Sequence, residues 1–352
     1  MVDFIYSNLF FFIFGIVILS VLLLDLLVIG KNKHEISFKE SLLWTSVWVC
    51  LAIGFYFFIR FYGDHIHNIT TMDELVNYIR LYSPHVKLNT TDFNEALKIY
   101  RENAATDYIA GYFLEYTLSI DNVFVILMLL TGFSVEKKNY KTVLFWGVLG
   151  AIVLRFIFIF AGSALIVKFN WILYVFGAFL VYSGIKMYLD RNNEETIDVG
   201  EHKLVKFLSN HISIYPQYIG GKFWKRIDGK FFFTPLFLVL VMIEFTDLIF
   251  AVDSIPAIFS ITRDPYIVFF SNIFAIIGLR SLFFLLIKVV DLFHFLKVGV
   301  AFLLAFVGVK LLAHHYLEMI GFKNVYSLYI ILATLAISIL ASIIFPKKKA
   351  VE

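Results

Sequence analysis

Long apolar runs divide this 352-residue chain and fix the class of structure that it can form. About 20 apolar residues make a helix long enough to cross the ~30 Å hydrocarbon core of a bilayer. The composition agrees, because 60% of residues are hydrophobic and only 16% are charged, against about 45–50% and about 25% in globular domains. We therefore predict an all-α, polytopic membrane protein with about nine transmembrane helices. The predicted spans lie at about 8–29, 41–61, 107–131, 142–166, 170–190, 232–253, 266–288, 298–316 and 325–345.

The basic residues predict the orientation of these spans. Lys and Arg are more frequent in the loops and tail on one side, which include 30–40, 132–141 and the C-terminal Lys347-Lys348-Lys349, than on the other. Cytoplasmic loops carry this excess. We expect a multi-pass protein of the cell membrane with its N-terminus outside and its C-terminus in the cytoplasm. The net charge of +3 is small and indicates no nucleic-acid partner.

Two polar connections separate the groups of spans. The outer one, 62–106, contains two sequences with the capping-box pattern, at Thr71 with Glu74 and at Asp92 with Glu95, which predict two short helices. The inner one, around 190–231, is charged and predicts a partly ordered cytoplasmic linker. The predicted segments are an N-terminal helix pair at 1–61, an extracytoplasmic loop at 62–106, a first three-helix repeat at 107–190, a linker at 191–231, a second three-helix repeat at 232–316, and a C-terminal helix with a basic tail at 317–352.

Two short acidic motifs lie inside apolar runs. Each places an acidic residue six positions before an Asp that a small polar residue follows: Glu115 before Asp121-Asn122, and Asp247 before Asp253-Ser254. An ionisable side chain at the centre of a membrane costs ~2.5–3.5 kcal/mol on insertion scales. Folding alone does not require two such costly motifs. They therefore predict a function, a cation site near the middle of the membrane.

The acidic motifs are part of a longer repeat. Each is followed by a similar segment with one arginine, Arg155 or Arg280, and then by a glycine two residues before a lysine, Lys186 or Lys310. Since each unit holds three helices, an odd number, the second unit must insert upside down relative to the first. The pattern predicts an inverted repeat, the architecture that holds substrate at the repeat interface in many secondary transporters.

The candidate site residues offer almost only oxygen ligands. Mn²⁺, Mg²⁺ and Ca²⁺ prefer carboxylate, carbonyl and water, and the single cysteine of the chain excludes a multi-cysteine metal cage. Several carboxylates would over-neutralise one dication, so some are protonated or an arginine offsets them, and both arrangements suit coupling to protons. The predicted metal ligands are Glu115, Asp121, Asn122, Glu244, Asp247, Asp253 and Ser254.

Four further residues are predicted to gate the site or to compensate its charge. They are Arg155, Arg280, Pro256 and Asn272. Pro256 has no N–H to donate and predicts unwound backbone around 253–257. The two arginines have an alternative role as purely structural ion pairs, and Asn272 has one as an interhelical hydrogen-bonding residue. We see no nucleophile–base pair, so the sequence predicts neither an enzyme nor a resident cofactor. The expected partners are the lipid bilayer and a divalent cation, and the oligomeric state stays open.

The same residues carry a family resemblance. The stretch from Glu115 to Asn122 resembles the first signature of the TerC family of integral membrane proteins, and Glu244 to Phe259 resembles the second, which Ser271 to Phe283 continues. The resemblance implies export of Mn²⁺, or of Ca²⁺, by alternating access. It leaves two other functions open: an accessory membrane scaffold for protein biogenesis or metal loading, and a tellurium-resistance factor that does not itself transport a metal. Buried carboxylates argue against direct transport of tellurium oxyanions, which they repel.

Overall fold

Helices make up almost all of the chain that the computed structural model describes. The residues described are 10, 13–18, 20–21, 37–84, 86–169, 171–190, 203–227, 229–287, 295–319, 322 and 324–345. The helices are α1 (Phe38–Tyr62), α2 (Met72–Tyr82), α3 (Phe93–Gly132), α4 (Lys137–Lys168), α5 (Ile172–Leu189), α6 (Lys203–His211), α7 (Pro235–Phe259), α8 (Pro265–Leu286), α9 (Leu296–Leu312), α10 (His314–Met319) and α11 (Asn324–Ile344). A 3₁₀ turn, Gly63–Ile66, follows α1, and a hairpin of β1 (Trp224–Ile227) and β2 (Lys230–Phe233) precedes α7.

Seven of the described helices are long and apolar enough to cross a membrane, namely α1, α3, α4, α5, α7, α8 and α11. The prediction of an all-α, polytopic membrane protein is therefore confirmed. Helix α9 corresponds to the predicted span at 298–316 but has only 17 residues. Most of the predicted span at 8–29 lies outside the described residues, although 13–18 are helical and Phe14 and Ile18 join the core. The count of nine thus stays a prediction, and the basic tail at 346–352 also lies outside the described residues.

Helix α8 occupies the centre of the bundle. Nearly all of its residues are buried, and it packs against α1, α3 and α4. A helix that is apolar on every side is expected at such a central position. By contrast, α11 exposes Ile337, Leu340 and Ile343 on one side, and this spacing forms the stripe that a lipid-facing helix needs.

Helices α5 and α9 pack with their backbones in contact. A Cβ atom added to Gly184 would lie 2.6 Å from the carbonyl oxygen of Ala301, and one added to Gly177 would lie 2.9 Å from that of Gly308. Because the partner number falls as the number in α5 rises, the two helices run antiparallel. The sequence repeat aligns Gly184 with Gly308. If the two units are exchanged in this alignment, each of the two contacts becomes the other. This geometry is what an inverted repeat requires of α5 and α9; the relation between the complete three-helix units stays a prediction.

The outer connection contains one short helix and the start of a long one. Thr71 caps α2 in a complete capping box with Glu74, as predicted. Asp92 also caps a helix, through its side chain and the Glu95 N–H, but that helix is α3, which continues for 40 residues to Gly132. The prediction of a second short helix is wrong, because the polar first turns of α3 join its membrane-spanning part without an interruption.

Side chains of the outer connection bind the ends of the bundle. Asp64, in the 3₁₀ turn, accepts a hydrogen bond of 2.6 Å from Arg101 of α3. His67 Nε2 lies 3.1 Å from Asp264 Oδ2 and 2.7 Å from the Tyr78 hydroxyl, and both the His67 and Asp264 side chains are buried. Asp264 also caps α8. The outer segment is therefore fixed to the helix at the centre of the bundle.

The inner connection contains regular secondary structure in the part that the structure describes, and its partial order stays a prediction. Its described part forms α6 and the antiparallel hairpin of β1 and β2, in which Ile227 pairs with Lys230. Gly229 lies in the two-residue turn at φ +78°, a conformation that glycine adopts without steric cost and that such turns require. Residues 191–202 lie outside the described part of the chain.

Pro256 does not unwind α7. The helix continues through it to Phe259, where Ser260 N–H bonds the carbonyls of Pro256 and Ala257. The predicted loss of helical backbone at 253–257 is therefore wrong for this structure. The ring still removes one donor, so the carbonyl oxygen of Val252, four residues earlier, loses its helical hydrogen bond. That carbonyl belongs to the residue directly before Asp253.

Candidate ion site

A buried guanidinium joins four helices at the middle of the bundle. Arg155 of α4 donates to the Glu115 carboxylate of α3, to Asn272 Oδ1 of α8 at 2.6 Å, and to Asp247 Oδ1 of α7 at 3.2 Å. The Arg155 side chain is 1% exposed and that of Glu115 is 0% exposed. The flat, multidonor guanidinium suits this role because it can serve several acceptors in one plane. The two acidic motifs, separate in sequence, thus meet at this one cation.

A small cavity of about 20 Å³, roughly the room that one water-sized particle needs, lies between α3, α5, α7 and α9. Its polar residues come from both acidic motifs: Glu115 and Asn122 from the first, Asp253 and Ser254 from the second. The remaining lining residues are apolar: Leu118, Met187, Phe250, Val300 and Leu304. A few polar groups in an apolar wall are typical of a binding site for a small ligand.

A side chain that the sequence analysis did not single out holds Asp253. The hydroxyl of Ser183, on α5, donates to Asp253 Oδ1 at 2.8 Å. The only sequence signal at Ser183 is its position before Gly184, whose missing side chain lets α5 approach its neighbour. A serine in an apolar helix more often bonds its own backbone, so no sequence pattern singles it out.

Several polar atoms of this region are buried without a hydrogen-bond partner among the described residues. They are Glu115 Oε2, Asp247 Oδ2, Glu244 Oε2, Ser254 Oγ and Arg155 Nε. Buried polar groups normally find a partner, and an exception needs an explanation such as an ion or a water molecule. Four of the five are oxygens, which a hard cation can bind.

The carboxylates are not collected into one metal cage in this structure. Among the described residues, no group of three or more His, Cys, Asp and Glu side chains could hold a metal ion. One reason is that Asp247 and Glu115 each form an ion pair with Arg155. The Asp121 side chain lies outside the described part of the chain, and only its place in α3 is known.

Two other predicted site residues lie away from the cavity. The Glu244 carboxylate packs directly on Gly150 of α4, in space that a Cβ atom at that position would occupy. Arg280 is buried on α8 and does not line the cavity. Of the predicted site residues, Glu115, Asn122, Asp253 and Ser254 line the cavity, and Asp247, Asn272 and Arg155 form the adjoining charge cluster.

The site lies in a segment that matches a known family. The model of the "Integral membrane protein TerC family" matches residues 100–350, which include every predicted site residue. The chain belongs to the TerC family. Helix α1 and the outer connection up to residue 99 lie outside the match.

TerC-family relatives extend the match over nearly the whole chain. One is the "Putative membrane-bound redox modulator Alx" of Salmonella typhi, 41% identical over 300 residues, or 85% of this chain and 84% of the relative. The protein of the same name from Photorhabdus laumondii is 37% identical and covers 96% of both chains. An "Uncharacterized membrane protein" of Rickettsia felis is 36% identical over 94% of this chain and 96% of its own length. No solved structure matches this TerC-family chain.

Proposed function

We propose that this TerC-family protein is a carrier, not an enzyme, that exports a hard divalent cation, Mn²⁺ in the first place, through the cavity between α3, α5, α7 and α9. The observation that carries the proposal is the lining of this cavity. Two residues with carboxylates, Glu115 and Asp253, and two with neutral side-chain oxygens, Asn122 and Ser254, line it from the two acidic motifs. This ligand set suits Mn²⁺, Mg²⁺ or Ca²⁺, and it contains no sulfur or imidazole that would select Zn²⁺ or Cu⁺.

In the proposed carrier, Arg155 competes with the transported dication for the carboxylates of the site. Its guanidinium binds Glu115 and Asp247 in this structure, and a dication that binds Glu115 must displace it or share the carboxylate with it. Protons that bind the acidic residues would also compete with the dication. The proposal therefore includes exchange of the metal for protons. Metal binding generally releases protons from its ligands.

The antiparallel pair α5 and α9 supports alternating access as the transport mechanism. In many secondary transporters two inverted units rock about a site at their interface. Here the cavity is lined from both predicted units, and the symmetric contacts of Gly177 with Gly308 and of Gly184 with Ala301 are those that such units would share. The proposal places the protein in the cell membrane with its N-terminus outside.

The name of the relatives suggests a second function, redox modulation. This chain has a single cysteine, Cys50, which is exposed on α1. Exchange between two thiols of one chain is therefore not available to it. The tellurium-resistance alternative gains no support from the cavity, since its carboxylates repel oxyanions.

The scaffold alternative has one specific observation in its favour. The outer segment is ordered and fixed to α8 through His67 and Asp264, so it forms a surface that could dock another protein. A scaffold predicts that deletions in 62–106 or 190–231 remove function while changes of the buried acids do not.

Transport by purified protein decides between these functions. We expect proteoliposomes that contain the wild-type protein to take up Mn²⁺, with Ca²⁺ and Mg²⁺ as competitors, and Asp253→Asn to abolish uptake. The matched control is Asp73→Asn, which changes an exposed carboxylate of α2 and should leave uptake unchanged. Wild-type protein that moves none of these ions, or Asp253→Asn protein that moves them at the wild-type rate, would exclude the carrier.

A further inference from the structure

Asp253 is a cavity carboxylate that a neutral side chain of another helix holds in place. Ser183 donates to Asp253 Oδ1 from α5 at 2.8 Å. No other hydrogen-bond partner of Asp253 occurs among the described residues. Ser183 does not itself line the cavity, so any effect that it has on a ligand must pass through Asp253.

Ser183 lies on α5, which packs closely against α9. The next residue, Gly184, lies so near α9 that an added Cβ atom would be 2.6 Å from Ala301 O and 2.7 Å from Ala305 N. Such backbone contact leaves α5 little freedom to shift relative to α9. The hydroxyl is therefore held at a defined place beside α7.

The two predicted repeats differ at this position. The alignment that pairs Gly184 with Gly308 pairs Ser183 with Val307, which is buried and has no hydroxyl. At the position equivalent to Ser183, α9 thus carries no hydroxyl.

We propose that Ser183 is a positioning residue that sets the affinity of the cavity for its dication. The hydrogen bond restricts the rotamer of Asp253 and leaves the second carboxylate oxygen for the ion. A ligand group fixed in advance need not be ordered when the ion binds, and this increases affinity. The inference rests on the proposed carrier function. It assigns Ser183 to substrate binding and not to the conformational step.

The test compares Ser183→Ala, which removes the hydroxyl, with Ser183→Thr, which keeps it. We expect Ser183→Ala to raise the KM for Mn²⁺ uptake into proteoliposomes about tenfold, as loss of one hydrogen bond to a charged group implies, with kcat within about twofold of wild type. Ser183→Thr should keep the wild-type KM. The control is Ser46→Ala, which removes a hydroxyl that bonds its own helix at Leu42 O.

The outcomes separate this inference from the carrier proposal. Absence of Mn²⁺ uptake by wild-type protein overturns the carrier proposal. Uptake that Asp253→Asn abolishes but Ser183→Ala leaves unchanged in KM overturns only the role of Ser183. Equal losses in Ser183→Ala and Ser183→Thr also overturn it, because they indicate a packing effect. If Ser183→Ala does not yield folded protein, Ser183→Cys, with a similar size and only a weak donor, takes its place with the same expected rise in KM.

Discussion

Gly177 and Gly308 touch through their backbones: a Cβ atom on Gly177 would lie 2.9 Å from Gly308 O, and one on Gly308 would lie 2.7 Å from Gly177 O. Neither neighbour can move away cheaply, since both are helix backbone. The contact therefore fixes the distance between α5 and α9, the two helices that carry Ser183 and part of the cavity wall.

We predict that Gly308→Ala destabilises the protein by about 1–3 kcal/mol, the usual cost of adding a group to a filled interface. Thermal unfolding in detergent measures the effect. The matched control is Gly54→Ala on α1, where an added Cβ atom meets nothing within 4 Å. There alanine should be neutral or stabilising by up to about 1 kcal/mol, since it favours helix over glycine. Similar losses in both variants would contradict the contact.

A second prediction concerns the buried ion pairs of Arg155. Arg155→Gln should destabilise the protein by about 3–5 kcal/mol, because it leaves Glu115 and Asp247 buried without their cation. Adding Glu115→Gln should restore part of this loss, since one of the two uncompensated charges is removed. The double-mutant cycle is measured by thermal unfolding. Strictly additive losses would show that the two side chains do not interact.

The third prediction concerns cells. A strain that lacks this protein should accumulate Mn²⁺ and become sensitive to it, and neither Asp121→Asn nor Asp253→Asn should restore tolerance. Asparagine keeps the size of aspartate and is less costly to insert in a membrane, so both variants should reach the membrane, which a blot of membrane fractions checks. Normal expression together with full Mn²⁺ tolerance would favour the scaffold over the carrier.

The capping box of α2 predicts a pH dependence outside the membrane. The N–H of Thr70, then its hydroxyl and the Thr71 N–H, bond the Glu74 carboxylate and lower the pKa of Glu74. Because the folded pKa lies below the unfolded value of about 4.3, the stabilisation is present above that value and is lost as the pH falls through the folded pKa. Glu74→Gln should therefore weaken hydrogen-exchange protection of α2 at pH 7, and the difference from wild type should shrink below about pH 4.

The control for this experiment is Thr71→Ala. It removes the N-cap hydroxyl, whose bond to the Glu74 N–H does not titrate, although the hydroxyl also helps to lower the pKa of Glu74. It should therefore weaken α2 by about 1 kcal/mol, with a smaller pH dependence than Glu74→Gln. A Glu74→Gln effect of constant size between pH 7 and pH 4 would contradict the assigned role of the carboxylate.

Local rules explain which features the sequence revealed. The cap at Thr71 depends on residues within one helical turn, and long apolar runs determine spans wherever water is excluded, so both were predictable. The meeting of Glu115 with Asp247 at Arg155 follows from the cost of burying each charge alone. The sequence therefore predicted that these charges interact, but not which arginine they share.

The remaining features depend on the surroundings of each residue. Pro256 was expected to unwind α7, but neighbouring helices enclose that segment and a helix can lose one hydrogen bond without breaking. Glu244 shares a helix face with Asp247, yet Gly150 offers it a space that only the fold creates. Ser183 could not be selected because its importance depends on a residue 70 positions away.

Helix α3 has a mechanical consequence for the proposed transport cycle. Its 40 residues form a rod about 60 Å long, which begins at the cap of Asp92 and includes both Glu115 and Asn122. A continuous rod cannot tilt at the cavity without moving its outer end, which Arg101 fastens to Asp64. In the proposed transport cycle we therefore expect α3 to stay in place, so that the movement that opens the cavity to either side comes from α7 and α9, the helices of the other predicted unit that line the cavity.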